Sequence, residues 1–204
     1  MIKSRLWEEN MEIKAVNNED ELDDVLNFVI ETFSKLNCIW PEHYNHNFYL
    51  NKINSNLLLY MVDESKIIAS VFAYEDNSNI TIGHICVDEN YRKKGVGKII
   101  MDNIEKRIRN LGYKLITLGS LEAAEGFYEN IGFKGSLLIQ SELNTIDELL
   151  SLNNNYEIAW TNIYDNKINQ LCLSLQRPDR ELQKKYKEVF PFCNTQMIFQ
   201  KILE

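Results

Sequence analysis

Ile80-Thr81-Ile82-Gly83-His84-Ile85-Cys86-Val87-Asp88-Glu89-Asn90-Tyr91-Arg92-Lys93-Lys94-Gly95-Val96-Gly97-Lys98-Ile99-Ile100 is the stretch whose reading decides the fold. Its first part is an apolar strand run ending at Val87. Its second part is a charged turn leading into Val96, Ile99, Ile100, Ile104, Ile108 and Leu111, which share one face of a helix that Gly112 ends. Two glycines stand at the junction, where the first N–H groups of a helix have no intrahelical partner and the helix dipole favours negative charge. Arg92, Lys93, Lys94 and Lys98 surround that opening. These residue types in this order build an anion site suited to a phosphate or pyrophosphate. The competing reading is an ordinary glycine-containing strand–helix turn.

Spacing separates the phosphate motifs. A Walker loop needs Ser or Thr after Gly-Lys and a glycine five positions before the second one. Here Ile99 follows Lys98, and Arg92 occupies the earlier position. A dinucleotide fingerprint needs a third glycine where this chain has Ile100. What remains, Arg-x-x-Gly-x-Gly from Arg92 to Gly97 after a strand, resembles the acetyl-CoA-binding motif of the GNAT N-acetyltransferase family. A second stretch, Ala123-Ala124-Glu125-Gly126-Phe127-Tyr128-Glu129-Asn130-Ile131-Gly132-Phe133, resembles the family's short Tyr-bearing helix ending in Gly-Phe. Gly132 is the expected left-handed helix stop. Taken alone, Tyr128 reads equally as one aromatic of a core-facing helix.

Composition narrows the class. The 204 residues suit one large domain, or one domain with a small module. Hydrophobic content of 45% and charged content of 25% are those of a soluble globular protein. No apolar run approaches the ~20 residues that span a bilayer, and Met1 to Asn10 lacks the apolar core of a signal peptide. The expected compartment is the cytoplasm. Cys38, Cys86, Cys172 and Cys193 are too scattered for a metal site or disulfide framework, so reduced thiols and no metal are expected. With no bilayer-spanning run, no membrane partner is expected. A net charge of −8 argues against a nucleic-acid partner and is compatible with a cationic amine.

The order of elements is α+β. Met11 to Val16 alternates as a strand. Asn18 caps a helix with Glu21 in the reciprocal position, and Leu22, Val25, Leu26, Val29, Ile30 and Phe33 form its apolar stripe. Cys38 to Tyr49 is irregular and aromatic-rich, and a helical turn is expected near Phe48 to Ile53. Strands follow at Leu57–Asp63, Lys66–Glu75 and Asn79–Val87, with hairpin turns between them. After the phosphate-loop helix come a strand at Leu115–Leu118, the Tyr128 helix and a strand at Phe133–Ile139. Beyond lie a short helix at Thr145–Leu152, a hairpin of Tyr156–Tyr164 and Gln170–Leu175, a helix begun by Pro178, and a strand at Thr195–Leu203. Counted from the Phe133 strand, this is β-α-β-β-α-β, the ferredoxin-like order.

The resemblance implies an α/β/α sandwich of the GNAT acyl-CoA N-acyltransferase fold over 11–140. The order of the remaining elements makes 141–204 a C-terminal ferredoxin-like α+β module. Its last strand looks like the one that closes many GNAT cores, so the module is either an appendage or an insertion before that strand. The resemblance also implies acetyl-CoA as co-substrate, its pyrophosphate held by Arg92, Lys93, Lys94, Gly95, Val96, Gly97 and Lys98. It assigns the pantetheine arm to main-chain groups of Ile85, Cys86 and Val87, and the role of general acid to Tyr128. The acceptor is an amine of a small molecule or peptide, with Cys38 to Tyr49 the candidate wall of its site. Positions where some family members carry a base are Gly83 and Thr81 here, and Leu121 stands where many have a cofactor-binding Asn, leaving Ser120 as a substitute. His84 points to the other face of its strand. Glu75, His43, His46 or a water relay remain candidates for the base. A non-catalytic CoA-binding module on the same fold, and a C-terminal unit serving a homodimer or substrate selection, are the alternatives.

Overall fold

The computed structural model describes residues 11–36, 46, 49–50, 55–76, 79–153, 155–175 and 177–203. The chain divides into two compact units, Met1–Ile116 with Leu203–Glu204, and Thr117–Ile202.

The first unit contains β1 (Met11–Ala15), α1 (Glu19–Ser34), β2 (Leu58–Asp63), β3 (Lys66–Asp76), β4 (Asn79–Val87) and α2 (Val96–Asn110). The four strands are antiparallel neighbours in chain order. Leu58 to Val62 are all buried, as a strand covered on both faces requires. Leu58, Tyr60 and Val62 join Leu22, Val25, Leu26 and Val29 of α1 in one cluster with Phe72 and Cys86. Leu59 and Met61 point the opposite way by the pleat, towards the face on which α2 buries Val96, Ile100, Met101, Ile104 and Ile108.

Asn18 caps α1 as expected, accepting from the Glu21 N–H at 2.9 Å. The reciprocal bond is displaced by one residue: the Glu21 carboxylate accepts from Asn17 N–H at 2.8 Å, not from Asn18. The apolar stripe is also rotated. Ile30 is 44% exposed while Thr32 is buried, because at about 100° per residue Thr32 falls nearer the Val25–Val29 line than Ile30 does. Leu111 lies past the end of α2 and is exposed, and Met101 takes a buried place instead.

The second unit contains the end of β5 (Leu115–Gly119), α3 (Glu125–Asn130), β6 (Lys134–Ser141), α4 (Ile146–Leu150), β7 (Glu157–Tyr164), β8 (Ile168–Ser174), α5 (Arg180–Val189) and β9 (Asn194–Ile202). The strand order β9-β6-β8-β7, antiparallel throughout, is the ferredoxin-like order expected from the sequence. β9 lies between β5 and β6, and Ser120 N–H donates to the Met197 carbonyl at 2.9 Å. Thr145 and Glu148 form a full capping box on α4. Pro178 does not begin α5; Asp179 is its N-cap, accepting from Leu182 N–H at 2.9 Å. That side chain meets an orphan helix donor, which proline cannot do.

Cys86, Cys172 and Cys193 are free and buried. No described helix is long and apolar enough to cross a membrane. The expected helical turn at Phe48–Ile53 and the aromatic segment Cys38–Tyr49 lie largely outside the described residues; Tyr49 is fully buried in the α1 cluster.

Replacing Asn18 by Ala should remove about 1 kcal/mol of stability, read as a lowered urea midpoint with an unchanged slope. An unchanged midpoint would show that water satisfies the Glu21 N–H equally well.

Candidate acyl-CoA site

The site begins where β4 leaves its ladder. Asp88 N–H donates to the Ile68 carbonyl at 2.8 Å. That makes Asp88 and Ile68 a hydrogen-bonded pair, and antiparallel alternation then makes Ser70 and Cys86 the next one. The main-chain groups of Cys86 are therefore committed to β3, while those of Ile85 and Val87 point away from it. Further back, the register slips between Phe72 and Ala73, leaving Gly83 as the extra residue of a bulge. A Cβ on Gly83 would stand 2.9 Å from Cδ1 of Phe72.

The turn after β4 is held by side chains that the sequence reading did not single out. Asp88 accepts from Asn90 N–H at 2.9 Å and from Lys66 Nζ at 2.6 Å. Its carboxyl is held below the usual range, against the opposing effect of desolvation, by those two donors. Tyr91 donates its hydroxyl to Asp63 at 2.7 Å. The Asp-x-Asn spacing is a readable turn signal, but Lys66 and Asp63 are remote in sequence. Arg92 then donates Nε–H to the Val87 carbonyl at 3.0 Å, folding its guanidinium back over the strand end.

Lys93 and Gly95 both take positive φ, 60° and 88°. Only glycine does so without strain. Gly95 is the N-cap of α2, has no side chain to cap the helix, and has nothing within 4 Å of where a Cβ would be. The first turn carries no acidic residue, and the first intrahelical bond runs from Ile99 N–H to the Gly95 carbonyl at 3.0 Å. The amides before it have no intrahelical acceptor. Val96 is buried and anchors the turn from below, while Arg92, Lys93, Lys94 and Lys98 are exposed above it. Lys94 sits 5.3 Å from the Tyr91 ring centroid, and Lys98 pairs with Asp102 one turn along at 2.7 Å. The geometry suits a multiply charged oxyanion: helix amides with open space beside them and a cationic rim.

The histidine and cysteine of β4 are structural. His84 is 4% exposed and hydrogen-bonded through both ring nitrogens, to Tyr49 Oη and Ser70 Oγ, each at 3.0 Å. Burial pushes its pKa down from 6.5 to about 3. Burial likewise pushes the Cys86 thiol up to about 12, which removes it as a nucleophile at neutral pH. Among the other base candidates, Glu75 is exposed and bonded to Tyr113, and His46 pairs with Asp23 at 2.9 Å. Thr81 and Gly83 bring no base, and His43 lies outside the described residues.

Tyr128 belongs to the second unit. It is 5% exposed, edge-on to Phe133 with ring centroids 5.8 Å apart and tilted against Phe199 at 5.5 Å. Burial raises its hydroxyl pKa above the usual phenol value. Its carbonyl accepts from Phe133 N–H at 3.0 Å across Gly132, whose φ of 90° is the expected left-handed stop. Ser120 is buried and donates its hydroxyl to the Leu121 carbonyl at 2.8 Å, so that donor is already engaged.

The acetyltransferase (GNAT) domain matches residues 18–143 of this chain. A Bacillus subtilis (strain 168) protein named as an acetyltransferase is 32% identical over 76 residues, 31% of this chain and 52% of that protein. The chain thus spans about half the length of that relative. A Staphylococcus aureus Mu50 acetyltransferase of the GNAT family superposes with a TM-score of 0.58 at 16% identity, over 95% of this chain and 99% of the other. N-acetylglutamate synthase from Neisseria gonorrhoeae, solved with coenzyme A and N-acetyl-glutamate, superposes at 0.53 with 13% identity, over 95% of this chain and 35% of that one. The chain belongs to the GNAT acetyltransferase family. Its members are acyl-CoA-dependent N-acetyltransferases that use acetyl-CoA, and the fold is the GNAT fold in an α+β chain.

Two outcomes follow from this geometry. Gly95→Ala should weaken acetyl-CoA binding at least about tenfold in calorimetry, equivalent to ~1.4 kcal/mol, since the Cβ would strain the backbone and enter the open space; unaltered affinity would take the Gly95 amides out of the site. For His84, the unfolded chain binds a proton below about pH 6.5 that the folded chain refuses until about 3. Its contribution is therefore intact above pH 6.5 and lost as pH falls. Between pH 6.5 and 5 the loss should be about 2 kcal/mol, and His84→Gln should flatten that part of the urea-midpoint profile; parallel profiles would count against it.

Proposed function

We propose that this protein transfers an acetyl group from acetyl-CoA to a primary amine of a small molecule or peptide. The carrying observation is the start of α2: a glycine N-cap at φ 88° with no side-chain cap, open space beside it and a cationic rim. Amides of Lys93 to Lys98 hold the pyrophosphate, and Arg92, Lys93, Lys94 and Lys98 supply positive potential. Main-chain groups of Ile85 and Val87 suit the amide-rich pantetheine arm. Main-chain groups of Cys86 face β3 instead, so this residue contributes packing.

Acetyl-CoA supplies an activated acyl group. The amine attacks only when neutral, and a free alkylamine has a pKa near ~10, so a proton must leave it. Of the residues weighed as base, Glu75 and His46 have partners of their own and His84 is held neutral by burial; we assign the step to ordered water. Tyr128 serves the departing sulfur. Because burial keeps its hydroxyl protonated, it offers a hydrogen bond to the thiolate at any pH near neutral. The catalytic core is taken as 11–140 and the C-terminal module as 141–204, acting in the cytoplasm without metal, nucleic acid or membrane; the module serves acceptor choice or a homodimer.

The non-catalytic CoA-binding module remains the second reading, favoured by Leu121, which is 42% exposed where an Asn would reach the cofactor arm. A thiol-release screen of acetyl-CoA against polyamines, amino acids, aminoglycosides and peptides separates the two. Turnover on one class supports the enzyme; saturable acetyl-CoA binding without turnover on any supports the module. With the best acceptor, Tyr128→Phe should lower turnover by about a hundredfold and leave acetyl-CoA affinity within a few-fold. Native turnover would remove Tyr128 from the chemistry.

A further inference from the structure

α3, which carries Tyr128, is a helix that cannot hold itself in place. It has six residues and no side-chain cap at Ala124. Isolated helices of that length are not stable in water. Its C-terminal end is fixed by the Gly132 stop and by the packing of Tyr128 on Phe133 and Phe199. Its N-terminal end is fixed by charge. Glu125 opens the helix, is 3% exposed, and lies three residues before Tyr128, hence on the same face. A carboxylate there needs a counterion, and Arg180 at the start of α5 supplies it.

The contact is two-pronged. Arg180 Nη1 donates to Glu125 Oε1 at 3.2 Å, and Nη2 makes a close contact with Oε2. Arg180 Nε stands 3.4 Å from Glu122 Oε1 in the turn before the helix. Nη1 also donates to Gln183 Oε1 at 2.7 Å, which orients the guanidinium from its own helix. Desolvation raises the Glu125 pKa, and Arg180 opposes that rise. The planar fork fixes orientation as well as charge, which lysine's point charge would not.

We infer that Arg180 is a positioning residue for acetyl transfer: through Glu125 and Glu122 it sets the orientation of α3 and so the place of the Tyr128 hydroxyl. The inference rests on the assignment of Tyr128 as hydrogen-bond donor to the leaving thiolate, and it gives the C-terminal helix a role in the reaction.

The test uses the full chain labelled with 3-fluorotyrosine, with the Tyr128 fluorine signal assigned by its loss in Tyr128→Phe. Arg180→Gln and Arg180→Lys should both shift that signal, and Arg180→Gln with Glu125→Gln, which removes the uncompensated charge, should return it towards the native position. On the best acceptor of the screen, Arg180→Lys should lower kcat about tenfold with the KM for acetyl-CoA within twofold. Added to Tyr128→Phe, it should cost little more. An unmoved fluorine signal in the folded Arg180→Lys protein, or losses that multiply in the double variant, would overturn the inference. If Tyr128→Phe itself turns over at the native rate, the Tyr128 assignment fails instead, and the fluorine shift still reports whether Arg180 positions the ring.

Discussion

The left-handed backbone at Gly95 is the constraint on which the rest of the candidate site depends. It allows α2 to start without a side-chain cap and leaves the helix amides facing open space. Everything nearby serves to present that start. The Asp88 turn, tied to Lys66 and Asn90, delivers the chain from β4 at one angle, and Tyr91 pins it to Asp63. Buried Val96 seats the helix on the sheet. A charge cluster alone would attract anions diffusely; an uncapped helix end in a fixed place selects where the charge goes.

β4 shows why two neighbouring residues with reactive side chains are inert here. Cys86 and His84 share a buried face of β4 against Tyr49 and Phe72, with Ser70 as a polar partner of His84. Burial disfavours the charged form of each, so the thiol stays protonated and the imidazole neutral. What the strand offers the candidate site is its backbone direction, set by the ladder with β3.

Much of this was legible in the sequence. The alternation of Asn79 to Val87 predicts β4 residue for residue, and the Gly-x-Gly junction predicts the start of α2. The β-α-β-β-α-β order predicts the sheet order of the second unit. What the pattern missed depends on three dimensions. Ile30 and Leu111 are apolar yet exposed, because burial follows helix phase and helix length, not residue type alone. Pro178 looks like a helix start, but Asp179 offers the cap that proline lacks. Arg180 and Glu125 are 55 residues apart, so no local signal links them.

The position of β9 bears on the order of events as the chain is made. β6 has β8 on one side and β9 on the other, and β9 lies between β6 and β5. The second unit therefore cannot complete its sheet until residues 194–202 have left the ribosome. Non-local pairings of this kind slow folding, because a long loop must close before any contact rewards it. β9 is an inner strand, flanked by β5 and β6, both of which precede it in the chain. Until β9 arrives, β5 and β6 present unpaired backbone, and the nascent protein is exposed to misassociation in that interval.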